Sequence, residues 1–297
     1  MPDAAGDISV VVVTWNALPW LERCLESVAG HETIVVDHGS SDGSLELVHS
    51  RFPGVRVIEQ ENRGMGSGNN AGMRVASGRY FFLLNPDAWV SGDAIEQLVA
   101  FADAHPDAAV VGPRLRNPDG SLQRSVRGFP TPWRLATEYF FLRRLAPSSR
   151  ALNAFYAAGF AHDEMREAEV LMGAVWLVRR AAIDEVGPAD ESFFLFSEEV
   201  DWAYRFRQAG WRSLFYPDAG ATHVYGASHE GRLFVEIQRG HLRFLAKHRG
   251  AAYAERARTL LRLSLRLRGR LFRGERGRMY REAAQWLGSG SVADLLA

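Results

Sequence analysis

The first hundred residues alternate strictly between two kinds of segment, and few folds accommodate that pattern. Ile8–Thr14, Thr33–Asp37, Val55–Gln60 and Tyr80–Leu84 are short apolar runs rich in Val, Ile and Phe, the composition of strands buried on both faces. Between them lie segments with helical spacing: Leu18, Leu21, Leu25 and Val28; Leu45 to Val48; Asn69 to Ala76; and Ala94 to Ala104. The alternation predicts an α/β fold with a mostly parallel central sheet flanked by helices. At 297 residues the chain suits one large α/β domain or two modest ones.

Ligands of such sheets bind beyond the carboxyl ends of the strands. The residues predicted there are Thr14-Trp15-Asn16, Asp37 to Gly43, Asn62-Arg63-Gly64 and Asn85-Pro86-Asp87. Asn, Asp and Gly also form turns and helix caps, but four successive strand ends furnished this way point to one crevice. From about Pro118 to Val170 the pattern weakens around Pro130, Pro132, Pro147 and an aromatic cluster, and an irregular or helical insertion is expected. Met172–Arg179 reads as a strand, followed by a helix through Ile183. Glu198 to Ala209 has helical spacing, and Ser213–Tyr216 reads as a short strand. Beyond Gly226 the chain reads as helical, with interruptions at Gly250, Gly269 and Gly274.

A charged fraction of 24% beside 47% hydrophobic residues excludes a disordered chain. One cysteine excludes a disulfide scaffold or a cysteine-built zinc site, and a reducing compartment is expected. The opening MPDAAGDIS has no basic stretch leading into an apolar one, and the longest apolar runs are a handful of residues, so neither an export signal nor a membrane span is expected. The 35 basic and 35 acidic residues balance overall, yet residues 255–282 hold 10 Arg against 3 Glu. On a helix, Leu260, Leu263, Leu267 and Leu271 share one stripe, with Arg258, Arg262, Arg266, Arg270 and Arg273 opposite. That pattern suits an anionic membrane surface; it equally suits a helix packed on the domain with a solvated basic face. Nucleic acid is not an expected partner, because the rest of the chain is net acidic and the basic segment lacks interleaved aromatics beyond Phe272.

Five segments occur in order: VVVTWN (11–16), VVDHGSSDGS (35–44), NRGMGSGNNAG (62–72), LLNPDAWV (83–90) and GPADESFFLFSEEVDWAYRFRQAGW (187–211). On these, over roughly residues 7–250, the sequence resembles the inverting nucleotide-sugar glycosyltransferases of family 2, and within them the rhamnosyltransferase-like branch. The string GMGSG also resembles a dinucleotide fingerprint. It follows the third apolar run instead of opening the first βαβ unit, which argues against a NAD-type site. The resemblance implies a GT-A type, Rossmann-like catalytic domain over 1–225, with a nucleotide half at about 7–115, the insertion at 118–170 and an acceptor half at 171–225. A helical extension over 226–297 follows, carrying the cationic segment.

The resemblance further implies that Thr14, Asn16 and Asp37 hold the nucleoside, with Asp42 nearby; Asp42 also reads as a cap for the helix beginning near Ser44. His38 stands where the family commonly has Asn. Asn62, Arg63, Gly64 and Asn69 would run under the donor sugar and diphosphate, and Asn85 replaces the first aspartate of the family's usual two-aspartate motif. Asp87 would ligate Mg²⁺ or Mn²⁺ together with diphosphate oxygens, and His223 matches a histidine that approaches the metal or the diphosphate. Glu199 matches the catalytic base; being one methylene longer than the family's Asp, it leaves Glu198 as an alternative. Gly173, Ala174, Asp201 and Trp202 would border the acceptor, although Asp201 also pairs with Arg205 at i, i+4. Phe193, Phe194 and Phe196 wall that site or belong to the core.

The implied activity is metal-dependent transfer of L-rhamnose from dTDP-L-rhamnose to a glycan or polyprenyl-diphosphate-linked acceptor in cell-envelope polysaccharide synthesis. A cytoplasmic protein, peripheral at the inner face of the membrane, is expected. The alternatives are a UDP-sugar donor (galactose, galactofuranose or N-acetylglucosamine) and an inactive nucleotide- or glycan-binding scaffold.

Overall fold

The computed structural model describes residues 7–146, 149–153, 155–157, 159–224 and 233–297. The predicted alternation is present as β1 (Ile8–Thr14), α1 (Leu18–Glu26), β2 (Glu32–Asp37), α2 (Ser44–Arg51), β3 (Arg56–Glu59), α3 (Met65–Val75) and β4 (Tyr80–Leu84). Every residue of β1 and β4 is buried, as continuous apolar strands covered on both faces must be. β1 pairs in parallel with β2 on one side and β4 on the other, and the register sets Thr14 beside Asp37.

Then come β5 (Ala88–Val90), α4 (Ala94–Ala104) and β6 (Ala108–Arg116). The sequence reading did not anticipate β6, where Gly112 and Pro113 interrupt the apolar run. The 118–170 insertion is mixed, holding β7 (Leu122–Gln123), β8 (Val126–Arg127), α5 (Pro132–Tyr139), α6 (Arg150–Asn153), β9 (Arg166–Ala168) and β10 (Val170–Leu171). β11 (Val175–Arg179), α7 (Arg180–Val186), α8 (Glu198–Gln208) and β12 (Arg212–His223) complete the sheet, in the order β3-β2-β1-β4-β11-β6-β12-β5. β1 to β4 are parallel, β11 runs antiparallel to both neighbours, and β12 returns parallel to β6. β12 continues well past the predicted Tyr216, through a register shift between Tyr216 and Gly220, to His223.

The remaining helices are α9 (Phe234–Arg249), α10 (Ala251–Leu271), α11 (Gly274–Trp286) and α12 (Val292–Leu296). Gly250, at φ +87°, separates α9 from α10 as expected. Gly269 does not interrupt anything: it lies inside α10, where a Cβ would come within 2.7 Å of the Arg281 side chain, and it lets α11 approach. The boundary expected at 225/226 falls outside the described residues.

Alternate strand residues serve opposite faces of the sheet. Val10, Val12, Phe82 and Leu84 pack under α1 and α4. On the other face Val11, Phe81, Leu83 and Trp176 join Trp202 and Phe206 of α8, Leu242 and Leu245 of α9, Leu261 and Leu265 of α10, and Leu287. The C-terminal helices therefore form one wall of the main core. Arg268 of α10 fastens them to the insertion by donating to the carbonyls of Tyr139 (2.7 Å) and Glu138 (2.6 Å).

Candidate active site

Thr14 and Asp37 end adjacent parallel strands and are each 1% exposed. Oδ2 of Asp37 accepts from the N–H groups of Gly39 and Ser40, both at 2.9 Å. Oδ1 of Asp37 and Oγ1 of Thr14 are buried with no hydrogen-bond partner in the protein. An unmatched buried polar atom costs ~1–3 kcal/mol, so two of them at one strand-end crevice mark a place that a ligand's own donors and acceptors complete.

The other residues of these loops hold the crevice in shape. Asn16 sits at φ 51° and its Oδ1 accepts from the Ser41 N–H at 2.8 Å. Asp42 binds the N–H of Leu18 (2.9 Å) through Oδ2, and the N–H and hydroxyl of Ser44 (3.0 and 2.6 Å) through Oδ1. It thereby fastens the starts of α1 and α2. Burial works against its ionisation, but the bonds from Ser44 and Leu18 keep its carboxyl below the ordinary value. His38 is buried, which pushes its pKa down, and its Nε2 lies 3.1 Å from Nε2 of Gln60.

In the third loop Oδ1 of Asn62 accepts from the Gly64 N–H at 3.2 Å. Gly64 is at φ +97°, and a Cβ there would lie 2.1 Å from the Phe194 carbonyl oxygen, so only glycine fits. Arg63 is exposed, 3.9 Å from Glu191. Asn69 is half-buried on α3. Its neighbour Asn70, which the sequence reading passed over, clasps the 189–191 segment: it accepts from the Ala189 N–H (3.0 Å) and donates to the Ala189 carbonyl (2.9 Å) and Glu191 (3.0 Å). The glycine string has a packing purpose. A Cβ on Gly68 would lie 2.6 Å from Val13, and one on Gly72 2.4 Å from Val11, so the glycines let α3 lie directly on β1.

Asn85 is fixed through its backbone, donating to the Ala174 carbonyl at 2.9 Å. Asp87 is 3% exposed and its Oδ1 lies 3.5 Å from Nε2 of His223, at the end of β12. Nδ1 of His223 lies 2.7 Å from Oε1 of Gln123, whose Nε2 donates to Asn117 and to the His223 carbonyl. Since Oε1 can only accept, Nδ1 carries the proton of this bond, and Nε2 is the ring nitrogen turned toward Asp87. This is the tautomer a metal-ligating histidine needs, set by a neighbour in the way such ligands usually are. A carboxylate and an imidazole together fit a divalent cation that draws its remaining ligands from diphosphate oxygens and water. Among the described residues no cluster of three His, Cys, Asp or Glu is placed to hold a metal.

Glu198 and Glu199 open α8 after Phe196 (φ 65°) and Ser197 (φ 74°), two consecutive non-glycine residues in the left-handed region. Such residues cost ~1–3 kcal/mol each and cluster at functional sites. Oε2 of each glutamate is buried without a partner. Glu198 borders the start of α3, its Cβ 3.9 Å from where a Cβ on Gly66 would lie; Glu199 borders Gly173, with the corresponding separation 3.3 Å. Burial raises both carboxyl pKa values. The charge of Glu199 raises Glu198 further, while Arg127 of β8 restrains Glu199. The two carboxyl groups therefore titrate as one coupled pair, with the stronger upward push on Glu198.

Asp201 and Trp202 do not reach this crevice. The Asp201 side chain is fully buried, accepting from Arg205 Nε (2.8 Å), His248 Nε2 (2.7 Å) and Lys247 Nζ (2.7 Å). Trp202 is 2% exposed, stacked on Phe206 and donating to the Gly187 carbonyl at 3.0 Å. Both lock α8 to its neighbours. Ala174 is buried and Phe193 is core, whereas Phe194 is 42% exposed. Gln123 and Arg127 had no sequence signal, since both come from the insertion where no periodic pattern exists.

The model of the family described as Glycosyl transferase family 2 matches residues 9–187, more than half of the chain. The chain belongs to glycosyl transferase family 2. This glycosyltransferase is 30% identical, over 89% of its length and 92% of the relative's, to the N-acetylglucosaminyl-diphospho-decaprenol L-rhamnosyltransferase of Mycobacterium tuberculosis. A shorter stretch, 35% of the chain and 32% of the relative, is 30% identical to the putative glycosyltransferase EpsH of Bacillus subtilis. Among solved structures it is similar to GalNAc-T7 with UDP, GalNAc and Mn²⁺ (TM-score 0.60, 16% identity, 99% of this chain and 56% of that one). It is also similar to the mannosyltransferase PcManGT from Pyrobaculum calidifontis with GDP-Man and Mn²⁺ (TM-score 0.57, 17% identity, 100% of this chain and 80% of that one). At such identities these likenesses concern the fold, which is of the GT-A type.

Proposed function

We propose that this glycosyltransferase moves L-rhamnose from dTDP-L-rhamnose, with inversion, onto an N-acetylglucosamine carried on a lipid diphosphate, in cell-envelope polysaccharide synthesis. The observation that carries the choice of sugar and acceptor is the 30% identity that extends through 92% of the mycobacterial rhamnosyltransferase.

In this reading Oδ1 of Asp37 accepts the pyrimidine N–H while the Thr14 hydroxyl serves a neighbouring ring atom, a charge-assisted contact strengthened by burial. Asn16, Asp42 and Asn85 hold the strand-end loops that frame the donor. Arg63, Asn62, Asn69 and the Gly64 backbone line the path of the sugar diphosphate. A divalent cation, Mg²⁺ or Mn²⁺, held by Asp87 and His223 would neutralise the charge that builds on the leaving diphosphate. Glu199 takes the proton from the attacking acceptor hydroxyl. Gly173 beside it has no side chain, which leaves room for the acceptor sugar. Glu198, protonated, lets Glu199 stay charged in a buried setting.

Calorimetric titration with dTDP and UDP, each with Mn²⁺, Mg²⁺ or EDTA, tests this reading. The expected result is cation-dependent binding that favours dTDP and weakens at least ~10-fold in Asp87→Asn, the scale of losing a metal-site interaction. Preference for UDP would move the donor to a UDP-sugar, and no binding of either nucleotide would contradict the donor site.

A further inference from the structure

The face that α10 presents to the protein is a third stripe, one not anticipated from its leucines and arginines. Ala254, Ala257, Leu261, Ser264 and Leu265 are buried in or against the main core. Leu263, Leu267 and Leu271, spaced four apart, run along an exposed flank of the helix beside that stripe and are 51%, 40% and 62% exposed. They form one apolar ridge open to solvent. Arg256, Arg266, Arg270 and Arg273 are exposed around it.

Next to the ridge, α10 and α11 enclose a groove of about 270 Å³ lined by Arg262, Arg266, Arg270 and Arg281 together with Gly269, Ala284 and Gln285. No acidic residue is among those lining residues, although an acidic partner is how a folded protein ordinarily settles clustered guanidinium groups. Nε of Arg262 is buried without a hydrogen-bond partner. Gly269 keeps the groove open, with Nη1 of Arg281 donating to its carbonyl at 2.7 Å. Four arginines converging on a space free of carboxylates select an anion with several oxygens, and Arg suits phosphate in particular.

We propose that α10 and the α10–α11 groove dock on an anionic lipid bilayer, with the leucine ridge in the headgroup region and the groove arginines on lipid phosphates. Apolar and cationic stripes side by side on one exposed helix surface are what binding in the plane of such an interface requires. A single row of three leucines is much narrower than the ~800 Å² per partner of a stable protein interface. Among the described residues no helix is long and apolar enough to cross a membrane, so attachment by this face lies along the surface. The inference goes beyond the transfer reading and rests only on this helix pair.

Co-flotation of the full chain with vesicles tests it without any turnover. The protein is expected to float with phosphatidylglycerol–phosphatidylcholine vesicles and not with pure phosphatidylcholine. The triple variant Leu263→Glu/Leu267→Glu/Leu271→Glu and the double variant Arg266→Glu/Arg270→Glu should each lower the floated fraction at least ~10-fold. Thermal melting and dTDP titration of the same variants should match the parent, showing that they are folded. Failure of the parent chain to float with the anionic vesicles, or flotation of the triple variant as well as the parent, would overturn the proposal. So would a lipid-free dimer, seen by sedimentation, that the triple variant dissolves, because the ridge would then belong to a second copy of the chain.

Discussion

Glu198 and Glu199 are adjacent on α8, and burial acts on the two carboxyl groups in the same direction. Both have carboxyl pKa values raised by burial, so the folded state holds protons that the unfolded chain releases near its ordinary value of about 4.3. Between the unfolded and folded values the native state binds more protons than the unfolded one, and stability falls as pH rises through that window. Glu198→Gln removes the group with the larger penalty and should raise the melting temperature at pH 8 by more than at pH 5, as calorimetry at the two pH values would show. Asp201 is the opposite case. Burial opposes its ionisation, but His248 and Lys247 hold its carboxyl below the ordinary value, so its stabilisation is present above the unfolded value and lost as pH falls. Asp201→Asn should cost ~3–5 kcal/mol in denaturant unfolding, as breaking a buried ion pair does, while leaving turnover of the folded protein within a few-fold. A collapse of turnover at unchanged stability would instead restore Asp201 to the acceptor site. The sequence exposed the strand-end Thr14, Asp37 and Asp87 because their types and positions are tied to a regular pattern. It exposed Asp201–Arg205 because that pair is local, but not His248, 47 residues further along.

At the scale of elements, α3 lies directly on β1 beside the crevice, with glycines at the contact. Gly72→Ala would place a Cβ 2.4 Å from Cγ1 of Val11 and should cost ~1–3 kcal/mol by overpacking. Urea unfolding measures this directly, and an unchanged or raised midpoint would show that α3 can slide away from β1. The parallel half of the sheet was legible in the sequence because its strands are unbroken apolar runs separated by helical periodicity. β6 and the far half of β12 were not, because Gly112 and Pro113 in one, and Pro217 and Gly220 in the other, look like strand ends in isolation. Neighbouring strands on both sides supply the pairing that local preference does not. The C-terminal helices were legible as helices. Their orientation was not, since α10 carries three stripes and only packing against α5, α9 and α11 chooses which is buried.

For the whole molecule, the insertion and the C-terminal helices share one core with the sheet face beneath α8, and Arg268 joins them through the carbonyls of Glu138 and Tyr139. Three distant stretches thus set the surroundings of Glu199: Arg127 from the insertion restrains its carboxyl, Gly240 of α9 packs against the strained Phe196–Ser197 turn, and Gly173 faces the glutamate itself. This arrangement has consequence for chemistry only if Glu199 removes the acceptor's proton. The most direct measurement is therefore the transfer rate of Glu199→Gln from dTDP-L-rhamnose to an N-acetylglucosaminyl-diphospho-lipid, with dTDP affinity measured on the same preparation. Loss of at least ~10²-fold in kcat with nucleotide binding intact is expected for removal of a general base. A rate within a few-fold of the parent would contradict the assignment of Glu199 and the mechanism built on it.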